Sequence, residues 1–554
     1  MAHGSNFLYL QGILCTLNDS SLSVKRIHSG PALDTTWDLS NYIPVNSPSS
    51  TARASFSLLY YSHDIAAVRY FPHSERVSSQ VIAFEARSGL ILGTAVLPEC
   101  EKLFVRHNDK YLYYGTHTAR GDHGFEEWVV EGISLHEDYP LPRRARLQLR
   151  DFVGSDIGST VAFCIHENHF YALSNQTSFD IEEVDWTSLY HCIRFPLDDP
   201  RQKKVKVNKA IFRRQHEEGP VNDSWTDLDF QVDENTNELL IVEARREWEP
   251  GTSLQTRKFY IRDIPFPEEE PAEDSGDDEV QPAGHLLLVA PLQLHPTDRL
   301  GALAGSGNNT HYAPTEKRHP KNVHQEIGPG NEDAASFIAS KTKHRSYNLS
   351  ARSFLDLVED SSCCTERPGC SCLRLRIGTR YPKPLIPPPD HGDAEPSKSL
   401  VPLMPNDAGE EPFRYEKIRL WPPRAASSAR AAEMHKIMNP HTCRPGSLYT
   451  PQETICMSDE RSLVFMRRPT RPKTEADKVA QIVLISFDES ISVRGIDDWQ
   501  TGVAETPKGL LSPEWHDSPL EVEETARFDE FVAHGAVDHA SDTSADPDFF
   551  GFFD

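Results

Sequence analysis

Between Thr160 and Pro196 the chain reads TVAFCIHENHFYALSNQTSFDIEEVDWTSLYHCIRFP, and this stretch leaves few choices of fold. Two β-type runs, 160–165 and 169–175, are separated by His166, Glu167 and Asn168, residues that suit a tight turn. A polar connection over 176–188 leads to a third run, 190–195. Three short strands in sequence make an antiparallel meander. The pattern recurs along the chain, most clearly at 54–98, where ASFSLLYYS and IAAVRYF flank His63-Asp64 and QVIAFEA and LILGTAVL flank Arg87-Ser88-Gly89. Glycine and aspartate tolerate the positive φ of two-residue hairpin turns. The loose alternation of the 54–62 run reads as burial on both faces, in an outermost strand.

Comparable units cover 7–44, 101–140, 145–199 and 205–266, the last two starting at RARLQLRDF and VKVNKAIFRR. Repeated meanders of roughly 40–60 residues are what radially stacked four-stranded blades require. The expected fold is therefore all-β, a β-propeller of six or seven four-stranded blades with long disordered insertions. Residues 7–266 hold the first five blades, 267–350 an acidic and polar disordered insertion, and 351–380 a short strand-containing segment. Residues 381–445 read as a Pro/Ala-rich linker, 446–490 as the last propeller strands and 491–554 as an acidic disordered tail.

The formal net charge of -26 is mostly local. Residues 267–280 carry eight acids and no Lys or Arg, and 512–554 carry twelve acids against Arg527 alone. These two tracts hold -19 of the total, so the rest of the chain is near balance. Nucleic-acid phosphates need clustered basic residues, so a near-balanced chain disfavours a duplex-binding surface. No apolar run is long enough to span a bilayer, and the N-terminus lacks the basic start of a secretory signal. We expect a cytoplasmic or nuclear protein with reduced cysteines, no nucleic-acid partner and no membrane partner.

Catalytic signatures are scarce. The nucleophile-elbow pattern G-x-S-x-G is absent, and GSGNN at 305–309 lacks the Lys-Ser/Thr of a phosphate-binding loop. Cys363, Cys364, Cys370 and Cys372 cluster ahead of His441 and Cys443, but one pair is adjacent and the other split by one residue. Zinc chelation usually uses C-x₂-C pairs, so reduced pairs in a surface connection fit better than a metal site. No enzyme activity, cofactor, catalytic residue or metal ligand is expected. KKVKVNK at 203–209 alternates like a strand with one buried and one solvated face, in preference to a nuclear-import signal. Ser275 lies among acids as a candidate phosphorylation site, and DPDFFGFFD at the C-terminus could dock aromatics on a partner. The partner-binding candidates are Glu182, Glu183, Asp185 and Trp186 in the connection of the opening segment, an aromatic flanked by acids on a propeller rim. The alternative for Trp186 is a place between blades, with the acids facing water.

FYALSNQTSFDIEEVDWTSLYHCIRFP (170–196), FLYLQGILCTLNDSSLSVKRIH (7–28), QVIAFEARSGLILG (80–93) and CLRLRIGTR (372–380) resemble a family of fungal F-box proteins. The resemblance covers most of 7–266 and patches of 372–488. It implies an N-terminal F-box that holds a Skp adaptor, and a β-rich C-terminal region that presents targets to a cullin-type ubiquitin ligase. The first strand of this chain starts at Phe7, so the F-box itself is not expected within it. Skp-type adaptor and cullin become expected partners only if an F-box precedes the chain; a propeller scaffold with no ubiquitin-ligase role is the alternative.

Overall fold

A computed structural model describes residues 2–28, 34–42, 54–72, 78–142, 145–176, 187–215, 221, 225–248, 255–266, 323–325, 342–360, 372–382, 413–416, 418–424, 427–439, 452–470 and 480–487. Chain contacts separate residues 1–497 from 498–554, and every described residue falls in the first unit. The strands assemble into seven antiparallel sheets, six with four strands and one with five. Together they are the blades of a seven-bladed β-propeller.

Blade 1 comprises Asn6–Leu10, Ile13–Asn18, Ser21–Arg26 and Asp34–Asp38; blade 2 comprises Ala54–Ser62, Ile65–Pro72, Gln80–Glu85 and Ile91–Val96. Blade 3 runs Leu103–His107, Tyr111–Arg120, Glu126–Ser134, Arg146–Gln148, and blade 4 Val161–His166, His169–Ser174, Thr187–Pro196, Lys206–Gln215. Blade 5 joins Asp227–Val232, Leu239–Trp248 and Gln255–Arg262 to Val323–Gln325. Blade 6 joins Thr342–Asn348, Ser353–Asp360 and Cys372–Pro382, and its third strand pairs with both Phe413–Tyr415 and Arg419–Trp421. Blade 7 is built from Gln452–Ser458, Ser462–Pro469 and Ala480–Ser486, and its outermost strand is Ala2–Gly4, in register Ala2↔Ile482. The two ends of the propeller thus share one sheet, which removes two exposed edges at once.

Each blade starts at the ring centre and turns outward. Tight turns follow the innermost strands: Gln11 and Gly12 (φ 48° and 73°), His63 and Asp64 (φ 49° and 58°), and Glu167 (φ 51°). Gly12 also has no room for a side chain, because a Cβ there would lie 2.3 Å from the His28 ring. Blade faces are apolar on both sides, and seven buried clusters form, one for each pair of neighbouring blades around the closed ring. Between blades 3 and 4 the cluster is aromatic: Phe104 stacks on Phe163 at 3.8 Å, with Trp128, Phe170 and Phe195 around them. Burying each such side chain contributes about 1.5–3 kcal/mol. Three aromatics lie across cross-strand glycines, Phe104 on Gly115, Tyr113 on Gly132 and Phe354 on Gly378. The missing Cβ lets each ring lie flat against the neighbouring strand.

Blades 5–7 are stapled differently. Every arginine that is buried among the described residues belongs to them: Arg245, Arg246, Arg257, Arg374, Arg376, Arg380 and Arg467. Arg257 forms a fork on Asp356 of blade 6 (2.9 and 2.6 Å), which also accepts from Arg376 at 3.2 Å. Arg467 of blade 7 reaches Glu359 of blade 6 at 3.3 Å. Glu243 accepts from Arg213 (2.7 Å), Arg245 (2.7 Å) and Tyr190 (2.5 Å), which joins blades 4 and 5.

Several sequence expectations need correction. The strands of the opening segment are where they were read, but the unit boundaries are not. RARLQLRDF contributes the outermost strand of blade 3, and VKVNKAIFRR that of blade 4; neither opens a blade. The 54–62 strand is innermost, facing the ring centre, not outermost. Blade 5 is completed only by Val323–Gln325, so the first five blades extend past 266, and Thr342–Asn348 opens blade 6 within the segment expected to be disordered. In KKVKVNK the strand starts at Lys206, residues 202–204 form a 3-10 turn, and Val207 is exposed. The 381–445 linker contains two strands and the helix Ala429–Met438. Ser428 caps that helix by accepting from the Ala431 N–H at 3.1 Å, and Met438 packs between blades 6 and 7. Ser275, Cys363, Cys364, Cys370, His441, Cys443, GSGNN, the 491–554 tail and most of 267–341 lie outside the described residues.

Candidate functional site

The ring centre is a channel walled by innermost strands, enclosing a cavity of about 570 Å³. Strand periodicity decides what faces it: side chains two apart share a face. On Asp227–Val232, Leu228 and Phe230 are buried between blades 4 and 5, which turns Asp227, Asp229 and Gln231 to the channel. Gln231 bridges to blade 6, donating to the Tyr347 carbonyl at 2.7 Å and accepting from the Leu349 N–H at 3.0 Å. Leu8 and Leu10 of blade 1 and Tyr60 of blade 2 give the opposite wall apolar surface.

The channel charges are unevenly paired. Arg106 is held by neutral groups: it donates to the carbonyls of Phe163 and Val105, each at 2.8 Å, and lies 5.0 Å from the Tyr60 ring centroid. Arg345 donates to the Trp225 carbonyl at 2.7 Å and faces that indole at 4.9 Å. Among the described residues neither Asp227 nor Asp229 has an ion-pair partner within 4 Å. Asp229 is reached by channel water but ringed by protein, and this desolvation, with repulsion from Asp227, pushes its carboxyl up to about 6. Desolvation alone shifts Asp227 upward, opposed by Arg345 and Arg257. His344 bonds to Ser458 at 3.2 Å, and burial pushes it down to about 4, so it is neutral at pH 7. Glu234, Asp459 and Glu460 line the cavity near the turns. Five carboxylates therefore share the cavity wall with two arginines.

Next to the channel, His28, Asp459 and Ser462 resemble a hydrolytic set in composition only. The His28 Nε2 alone meets Tyr9 (3.0 Å), Ser462 (3.3 Å) and Asp459 (3.4 Å), whereas a relay needs one ring nitrogen for serine and the other for aspartate. Ser462 is fully buried. Asp459 accepts N–H bonds from Gly12 (2.9 Å), Arg461 (2.9 Å) and Ser462 (2.7 Å), so it ties blade 7 to the first turn of blade 1. In the cluster His123, Glu127 and Asp151 the central carboxylate is equally committed: Glu127 accepts from Gln148, the Asp151 N–H and His123. These lone pairs serve the fold and leave little for a metal ion.

Glu182, Glu183, Asp185 and Trp186 lie outside the described residues, between the second and third strands of blade 4. Just before them, the Asn175 side chain donates to Glu243 at 3.4 Å. Of the cysteine group only Cys372 is described, fully buried at the start of a blade 6 strand. The channel carboxylates belong to no sequence motif and are visible only through strand alternation. Over 227–232, DLDFQV, alternation places Asp227, Asp229 and Gln231 on one face.

No family model matches the chain, and no curated protein matches it. Among solved structures, the WD40 domain of SCAP from fission yeast is 7% identical, with 87% of this chain and 83% of that chain covered, at a TM-score of 0.34. A chain from a mitotic checkpoint complex is 10% identical, with coverage of 66% and 72% and a TM-score of 0.25. A thermostable family-43 glycoside hydrolase is 12% identical, with coverage of 47% and 93% and a TM-score of 0.22. Similarity at this level carries no argument about function, and the propeller assignment rests on the seven sheets themselves. Among the described residues no helix is long and apolar enough to cross a membrane.

Proposed function

We propose that this chain is a non-enzymatic protein-interaction propeller whose central channel receives part of a partner protein. The observation that carries this reading is the channel: an open cavity of about 570 Å³ in which Asp227 and Asp229 have no ion-pair partner within 4 Å among the described residues. Acids held on a cavity wall without an ion-pair partner leave negative charge for an incoming ligand to meet. The finer reading is the target-recognition part of an F-box-type ubiquitin-ligase receptor, supported by the resemblance of 7–28, 80–93, 170–196 and 372–380 to that family. A propeller scaffold without a ubiquitin role is the alternative.

A photo-crosslinking amino acid at Gln231 or Glu234, in the full chain exposed to native extract, tests the channel; a control site at Glu137 lies on an exposed blade 3 turn. Protein crosslinks at the channel positions above the control are expected, and equal yields at all three would refute the reading. Mixing purified Skp adaptor and cullin with the chain, alone and preceded by an F-box, tests the finer reading. Adaptor capture only with the F-box, together with ubiquitin transfer to the channel partner, is the expected result. Capture by residues 1–554 alone would overturn that division of labour.

A further inference from the structure

Deepening the interaction reading, and resting on it, we propose that the channel binds a lysine or arginine side chain carried on an extended segment of the partner, with Asp229 as its principal counter-charge. The cavity matches such a side chain at both ends. Leu8, Leu10 and Tyr60 offer apolar surface for an aliphatic stem, and Asp227 and Asp229 offer acceptors for the charged head. The cations already present act on them only at a distance, because Arg106 and Arg345 are held by backbone carbonyls and aromatic rings and form no ion pair with either acid within 4 Å.

Other ligand classes fit less well. A phosphate or carboxylate would face five cavity carboxylates against two arginines. A divalent metal needs oxygens that converge on one point. The described His, Cys, Asp and Glu groups whose ligand atoms lie within 4.8 Å of one another are His28, Asp459, Glu460 and His123, Glu127, Asp151; neither group includes Asp227 or Asp229. Separated carboxylates on one strand face suit the spread donors of a guanidinium or a mobile ammonium.

The groups that face Asp229 come from every side: Asp227 and the Phe230 N–H on its own strand, Arg106 from blade 3, with Tyr60 and Cys164 close enough to interact from blades 2 and 4. A cation beside it favours the ionised carboxylate, so binding should strengthen as pH rises through about 6.

The test uses the full chain and fluorescent decapeptides with random uncharged flanks and one fixed central residue: arginine, lysine, citrulline or norleucine. Binding at least tenfold tighter for arginine or lysine than for citrulline and norleucine is expected, weakening with salt. Asp229→Asn should lose at least tenfold and Asp227→Asn a smaller factor, while Glu137→Gln on the exposed blade 3 turn changes nothing. Asparagine keeps the shape of aspartate, and matching circular dichroism spectra establish that the variants fold. Equal binding of all four peptides, absence of binding, or a cationic preference that survives both asparagine variants would each overturn the proposal. Channel crosslinks to a partner without any cationic preference would sink this inference alone; loss of the crosslinks would remove the interaction reading beneath it.

Discussion

Replacing Glu243 by glutamine keeps the side-chain shape and removes the charge that two arginines share. Glu243, Arg245 and Tyr190 are each fully buried, and Arg213 is 11% exposed at its side chain. Arg245 also lies 3.8 Å from the Tyr260 ring centroid and donates to the Arg213 carbonyl at 3.1 Å, so it cannot swing out to water without breaking the wall between blades 4 and 5. Glutamine would present an NH₂ to one of the two guanidinium groups and leave both charges uncompensated. Removing one member of a buried ion pair typically costs about 3–5 kcal/mol. The same magnitude follows from two charge-assisted hydrogen bonds at about 1.5–3 kcal/mol each. Equilibrium urea unfolding, with hydrogen exchange to localise the loss to blades 4 and 5, measures it. The arginines hold the Glu243 carboxyl far below the usual range, against the desolvation that would raise it. A depressed carboxylate stabilises the fold above its unfolded pKa and loses that contribution as pH falls toward its folded value. The gap between parent and Glu243→Gln is therefore largest near pH 7 and narrows below about pH 4.5. A gap under about 1 kcal/mol, or one independent of pH, would refute the assignment of this cluster as a structural staple.

Two further outcomes follow from buried groups. His107 and His191 are each pushed down to about 3 by burial, and His344 is pushed down to about 4. The unfolded chain takes up these protons first, so stability is greatest above about pH 6.5 and falls as pH drops from there toward the folded values. Urea midpoints at pH 7 and 5 should differ, and His191→Phe should flatten the dependence; a pH-independent midpoint would contradict it. At Gly115 an added Cβ would lie 2.2 Å from the Phe104 ring, itself stacked on Phe163. Gly115→Ala should cost about 1–3 kcal/mol in urea unfolding, and an unchanged midpoint would mean that the ring can move aside.

Much of the fold was legible because strand alternation and turn residues are local signals. The hairpins of blade 2 and the meander of blade 4 could be read almost residue by residue. Blade boundaries were not, since a continuous meander carries no mark of where one radial sheet ends. Lys206–Gln215 looks equally well like the last strand of one unit or the first of the next, and only its pairing with Thr187–Pro196 decides. Val323–Gln325 and Ala2–Gly4 are three residues each, too short to show a period. The helix Ala429–Met438 lies in surroundings whose Pro and Ala content reads as linker. The channel acids were hidden by the opposite cause: alternation groups Asp227, Asp229 and Gln231, but nothing local says which face of a strand turns to the ring centre.

The pairing of Ala2–Gly4 with Ala480–Ser486 also places a delay between the making of two partners. Ala2 and Ile482 are 480 positions apart, and at roughly 5–20 residues per second a ribosome needs about half a minute to a minute and a half to deliver the second after the first. Throughout that interval the first strand has no sheet to join, and the wall of blade 1 that will meet blade 7, with Phe7 and Tyr9, stays uncovered. The ring therefore cannot close before Ile482 is made, and until then that flank of blade 1 has no blade 7 to cover it.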